Sequence, residues 1–285
     1  MTQSGFSHES LERDLQIARD IQRGFLPETL PQLEGWEIAT CFEPARWVGG
    51  DFYDAFLLTQ NRRVGVVIAD VCDKGVGAAL FMALFRTLIR AFATQHYALS
   101  WADVLTESPQ PTQYRQALPS IGTGALKNAV TLTNNYIVNH HAASGMFATL
   151  FFGVIDPATG SMIYVNGGHN APFITNGIQI KEQLKPSGPA LGFLPNAEWE
   201  IRHTQIEAGE TLLLYTYGVT EARDAHKAFY SDARLQKIIA SCTSLSASEI
   251  LRHIDADRKV FVGDAEQSDD VTLMAIQRLP KSQKL

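Results

Sequence analysis

Arg46 to Gly77 reads RWVGGDFYDAFLLTQNRRVGVVIADVCDKGVG. FYDAFLLT alternates and is rich in aromatics, TQNRR is polar, and VGVVIADV is largely β-branched, so the order is strand, turn, strand. With a turn centred on Gln60 and Asn61, antiparallel pairing opposes residues whose numbers share one sum, and Asp51 and Asp70 share it. Directly opposed residues hold their Cβ atoms about 4.5–5.5 Å apart. Two carboxylates therefore crowd at the hairpin end and repel unless a cation lies between them. Hard divalent ions such as Mg²⁺ and Mn²⁺ take oxygen ligands and suit a carboxylate site that lacks His and Cys. The alternative is a solvated turn bearing two unrelated acids, and a register slip of one residue would turn the carboxylates to opposite faces.

Downstream, KGVGAALFMALFRTLIRAFA predicts a glycine turn followed by a buried helix. Lys74, Gly75 and Gly77 at its start suit an anion, although the order of a GxxxxGK[ST] loop is absent. Residues about 99–124, rich in Ser, Pro, Thr and Gln, read as an irregular exposed insertion. A helix over ALKNAVTLTNNYIVNHH follows, with His140 and His141 as solvated end residues. MFATLFFGVIDPATGSMIYVNGG is strand, turn and strand. His169 beyond it is either a general acid or a turn residue bonded with Asn170. WEIRHTQIEAGETLLLYTYG supplies two more strands, VTEARDAHKAFYSDARLQKII and SASEILRHIDADRKVFVG two helical segments, and SDDVTLMAIQRL a closing strand entered through Asp269 and Asp270. Antiparallel strands with grouped helices make the class α+β.

Upstream, Leu11, Leu15, Ala18, Ile21, Gln22 and Phe25 recur at spacings of three and four, the pattern of an amphipathic helix. Pro27 and Pro31 end it. Residues 1–31 are thus expected as a helical arm and linker, and 32–281 as the main domain. The arm either packs on its own domain or forms a seam between two copies, making a homodimer. WEIATCFEPARWVG leads as a first strand into the hairpin, and Arg46 on it is placed to reach a phosphate, or else is a solvated strand-end charge.

The 285 residues are 45% hydrophobic and 19% charged, and the net charge of −6 argues against nucleic acid as the main partner. Cys41, Cys72 and Cys242 are odd in number and lack C-x-x-C spacing, so neither a disulfide framework nor a zinc site is suggested, and a reducing cytoplasm fits. Apolar runs such as FATLFFGVI are too short to span a bilayer, so no membrane segment is expected. No HCX5R phosphate loop and no GxSxG elbow is present.

VGGDFYDAF and VVIADVCDKGVGAALFMA closely resemble the RsbU/SpoIIE serine phosphatases, within the metal-dependent type 2C (PPM) phosphatases. MFATLFFGVIDPATGSMIYVNGGHNAP, LLLYTYGVTEA, SDDVTLMAI and the leading IARDIQRGFLP agree in order, so the resemblance covers about Leu11 to Leu279. It implies a four-layer α-β-β-α sandwich of two mainly antiparallel sheets behind the N-terminal helix. It also implies two Mn²⁺ or Mg²⁺ ions held by Asp51, Asp70, Asp269 and the Val71 carbonyl, activating a water. The substrate it implies is phosphoserine or phosphothreonine on a STAS-domain protein, and it makes the arm a dimer or signal-relay helix. Two positions depart from the pattern: Asp73 stands where the family usually has Gly, and Tyr217 where it has a ligating Asp. The second ion site is therefore expected to be weak, with Asp73 and Asp270 as auxiliary carboxylates. A catalytically impaired module that binds a phosphoprotein is the alternative.

Overall fold

The hairpin forms in the expected register. In the computed structural model, which describes residues 8–58, 62–106 and 123–280, β2 (Phe52–Leu58) and β3 (Arg63–Val71) pair from Phe52↔Ala69 to Leu58↔Arg63. Every pair sums to 121, as Asp51 and Asp70 do; the turn at Gln60 and Asn61 lies outside the described residues. Alternation then sorts the faces. Phe52, Phe56, Val67 and Ala69 point outward to a helical layer, while Ala55, Val64, Val66 and Ile68 point inward to a second sheet. Asp51 and Asp70 share the inward parity.

The hairpin belongs to a sheet of order β2-β3-β4-β5-β8, completed by β4 (Ala148–Ile155), β5 (Ser161–Gly167) and β8 (Arg202–Gln205). The other sheet has the order β1-β10-β9-β6-β7, from β1 (Trp36–Glu43), β6 (Phe173–Thr175), β7 (Ile180–Gln183), β9 (Thr211–Tyr215) and β10 (Val271–Arg278). Every strand pairing within both sheets is antiparallel. Phe151, Met162, Leu212, Leu214, Met274 and Ile276 fill the space between the sheets. Outside one sheet lie α2 (Val76–Thr106) and α3 (Thr123–His141); outside the other lie α5 (Asp232–Ile239) and α6 (Ala247–Val262). The expected α+β sandwich of four layers is what forms, preceded by the helix α1 (His8–Phe25).

Two expectations change, and one open alternative gains a contact. Residues 99–106 continue α2 as helix, so the irregular segment is shorter than expected, and 107–122 lies outside the described residues. Val76–Gln95 is long and apolar enough to cross a membrane by length and composition, unlike the shorter runs considered above. Its Ala78, Met82, Phe85, Ile89 and Ala93 are buried in the core beside the β2 sheet, while Val76 and Leu80 stay exposed. Finally, α1 is docked at its C-terminal end. Gln22 is buried and closes two hydrogen bonds on Gly49, its Nε2 donating to the carbonyl at 2.6 Å and its Oε1 accepting from the amide at 3.0 Å. Leu26 joins the core, while Leu11 and Ile21 stay exposed at 53% and 60%.

Candidate metal centre

The ends of four strands meet at one edge of the sandwich: the start of β2, the end of β3, the end of β9 and the start of β10. Asp51 is 1% exposed, and its Oδ2 accepts from Thr216 Oγ1 and Thr272 Oγ1, both at 2.7 Å. Both threonines come from the opposite sheet, so this carboxylate is fixed across the sandwich. Inward-facing hydroxyls in otherwise apolar strands were the sequence signal for that role. Asp270 is also buried, and its two oxygens accept from Ala45 N and Gly50 N at 2.7 Å each. It organises the loop before Asp51. A Cβ at Gly49 would fall 2.5 Å from Asp270 Oδ2, and one at Gly50 would fall 2.7 Å from the Val71 carbonyl oxygen, so the GGD run is a requirement of space.

Asp70, Val71, Asp73, Tyr217 and Asp269 line one open cleft of about 330 Å³ together with Lys74, Thr149 and Glu221. Tyr217 opens α4 (Tyr217–Thr220), and Glu221 follows one turn later on the same side of the cleft. Burial, then the charge of Asp269 and Asp270, pushes the Asp70 carboxyl up to about 7. Burial, then the charges of Asp70 and Asp270, holds Asp51 well above the usual carboxylate range against the two threonine bonds. The Tyr217 phenol is raised by burial and by Glu221 and Asp70, so at neutral pH it keeps its proton. A larger depression of about 500 Å³ lies at the far end of β10, where the carboxylates of Glu37 and Glu249 are spent on capping α6.

Other expected residues fall outside the cleft or serve their own loop. Arg46 is exposed against the turn at Gly75 and is not among the cleft residues. Asp73 has φ +70°, and its Oδ1 accepts from Lys74 N at 2.8 Å, the local bond that lets an aspartate hold a position suited to glycine. His169 is buried, with Nδ1 2.8 Å from Thr149 Oγ1, and burial lowers its pKa to about 3. It is a bonded core residue, and its partner is Thr149 rather than Asn170.

The Stage II sporulation protein E (SpoIIE) family model matches residues 60–279. The chain belongs to the SpoIIE family. It is 43% identical over 275 residues to Protein IcfG of Synechocystis sp., covering 93% of this chain and 41% of IcfG, so it spans about two-fifths of that relative. It is 25% identical over 271 residues to Phosphoserine phosphatase RsbU of Bacillus subtilis, covering 95% of this chain and 71% of RsbU. The SiaA-PP2C domain of Pseudomonas aeruginosa has the same fold, with a TM-score of 0.74, 18% identity and coverage of 95% and 98% of the two chains. RsbX, solved in complex with magnesium, matches at a TM-score of 0.56 and 13% identity, covering 87% and 98% of the two chains.

A SpoIIE-type centre for divalent cations fits the donors present here. Asp51, Asp70, Asp269 and the Val71 carbonyl offer oxygen only, and the one lining cysteine, Cys72, has its sulfur accepting from Phe147 N at 3.2 Å. Among the described residues no three acids already stand at metal-ligand spacing, so a cation would have to draw them together. A cationic stand-in is already in place: Lys74 Nζ lies 3.1 Å from Asp269 Oδ1 and also donates to the Ser268 carbonyl.

Proposed function

We propose that this protein is a metal-dependent protein serine/threonine phosphatase acting on a phosphorylated STAS-domain regulator in cytoplasmic partner-switching signalling. The observation that carries this reading is the buried Asp51 at the sheet edge where Asp70 and Asp269 line the cleft, with the charge of Asp70 acting on the Asp51 carboxyl. When bound, two Mn²⁺ or Mg²⁺ ions supply a water of lowered pKa and offset the charge of the phosphoryl oxygens. Asp51, Asp70, Asp269 and the Val71 carbonyl would hold them. Asp51 enters the site already oriented by Thr216 and Thr272, so it needs little reorganisation. Asp70, held protonated toward neutrality by burial and neighbouring charge, would release that proton when a cation binds. Lys74, released from Asp269, is the one ammonium lining the cleft and suits a phosphate oxygen. The likeness to RsbU supports the choice of a phosphoserine substrate.

The test is hydrolysis of a phosphoserine STAS-domain protein and of p-nitrophenyl phosphate with Mn²⁺. Asp70→Asn should lower both rates at least about a hundredfold, since a lost charged ligand is worth on the order of 3 kcal/mol, without lowering the melting temperature. Full activity in that variant would remove the proposed centre. Tyr217 supports a second reading, a phosphoprotein-binding module of impaired catalysis, because a protonated phenol occupies the cleft where the family pattern has aspartate. Tight binding of the phosphoprotein without turnover by the wild type would favour it.

A further inference from the structure

Phe193 and Leu194 are 60% and 45% exposed, yet the loop that carries them is fastened on several sides. Ala148 and Leu191 exchange two backbone hydrogen bonds, at 2.9 and 2.8 Å. Asn134 of α3, fully buried, accepts from Gly192 N at 2.8 Å and donates to the Leu194 carbonyl at 3.1 Å, which clamps both flanks of Phe193. Gly192 has φ +83° and no room for a side chain, because a Cβ would fall 2.8 Å from Ile137 Cγ2. The Phe193 ring meets the Phe147 ring edge-on, with centroids 5.4 Å apart. Phe147 lines the acidic cleft, and its carbonyl accepts from the amide of Cys72, two residues after Asp70, at 3.0 Å.

Holding a phenylalanine and a leucine in water gains nothing for the isolated fold. Apolar anchors fixed in advance do lower the entropic cost of binding a partner. We infer that Phe147, Phe193 and Leu194 form a docking platform for an apolar side chain beside the phosphoserine of a protein substrate. The inference rests on the phosphatase reading above. Continuity decides the occupant: Phe147 belongs both to the cleft and to the platform, so a chain with its phosphate in the cleft passes over Phe147 toward Phe193. The 5.4 Å step between the rings is covered by about two residues of extended chain at ~3.3 Å each. The apolar side chain therefore lies within about three residues of the phosphoserine. The cleft wall is rich in carboxylates, which disfavours acidic flanking residues, so an apolar contact adds affinity beside the phosphate.

Two synthetic nonapeptides test this, each with one central phosphoserine, one bearing leucine and the other serine at the second position on either side. With Mn²⁺, the wild type should hydrolyse the leucine peptide with kcat/KM roughly tenfold higher, equivalent to about 1.4 kcal/mol. The double variant Phe193→Ser, Leu194→Ser should bring that ratio to about one, as expected where coupled contacts are removed. Its hydrolysis of p-nitrophenyl phosphate should be unchanged, which also shows that it folds. The platform is overturned if the wild type shows no preference, if the preference survives in the variant, or if all three substrates lose rate equally. If the wild type hydrolyses none of the three, the phosphatase reading has failed. Fluorescence anisotropy of the labelled peptides then decides separately: a leucine preference in binding that the variant loses supports the platform, and equal binding of the two peptides overturns it.

Discussion

At the residue scale, Tyr217 is where chemistry departs furthest from the family pattern. A neutral phenol is a poor ligand for a hard cation, so an ion shared by Asp70 and Asp269, as proposed, would lack one anionic donor. Calorimetric titration with Mn²⁺ should give one tight ion and one weak ion in the wild type. Tyr217→Asp should strengthen the second by about tenfold or more, because a charge-assisted contact is worth roughly 1.5–3 kcal/mol. Glu221 lines the same cleft and offers a carboxylate that could take over the missing role. Glu221→Gln should therefore abolish the weak ion in the wild type and matter less in Tyr217→Asp. Identical titrations for wild type and Tyr217→Asp would show that Tyr217 costs the site nothing. The conflict at position 217 was legible in the chain, since YTYG stands at a strand end. Glu221 was not, because only the tight turn of α4 brings a residue four positions later back to the same cleft.

At the element scale, the hairpin was legible because two β-rich runs flank one polar turn, and a turn centred on that stretch sets a register that, carried one residue past Phe52 and Ala69, opposes the two aspartates. The docking of α1 was hidden for the opposite reason. Its anchor is Gln22, a polar residue within an apolar stripe, and its partner is a backbone unit 27 residues away. Gln22→Ala would strand the Gly49 amide and carbonyl in a buried position, at a cost of about 1–3 kcal/mol. The melting temperature should fall by several degrees, and Mn²⁺ affinity should fall with it, since Gly49 adjoins the loop that positions Asp51. A variant with lower thermal stability but unchanged Mn²⁺ affinity would confine Gln22 to packing. Leu11, Ile17 and Ile21 of α1 stay exposed, and a homodimer through this helix is a proposal that light scattering of the chain lacking residues 1–26 can decide. Unchanged mass would leave α1 as an intramolecular helix.

At the scale of the whole molecule, two buried groups, Asp70 on β3 and His169 just beyond β5, set opposing responses to pH. Burial lowers His169 to about 3, so below pH 6.5 the unfolded chain takes up a proton that the folded chain refuses. The stability associated with neutral His169 is present above pH 6.5 and is lost as the pH falls toward 3. Asp70, raised to about 7, acts in reverse. The folded metal-free protein keeps that proton while the unfolded chain releases it above about pH 3.9, so the corresponding stability is present at low pH and is lost as the pH rises through 7. Each difference of one bound proton tilts stability by about 1.4 kcal/mol per pH unit. Over the shared window from about pH 4 to 6.5 the contributions of His169 and Asp70 oppose, and the raised carboxyls of Asp51, Asp54 and Asp270 act in the same sense as Asp70. Chemical denaturation in EDTA can expose both parts. Relative to the wild type, Asp70→Asn should lose more stability as the pH falls through that window, whereas His169→Asn should lose less or gain. Parallel profiles for the three proteins would mean that neither group titrates as its burial dictates. With saturating Mn²⁺ the Asp70 proton is displaced, and the wild type should take on the slope of Asp70→Asn.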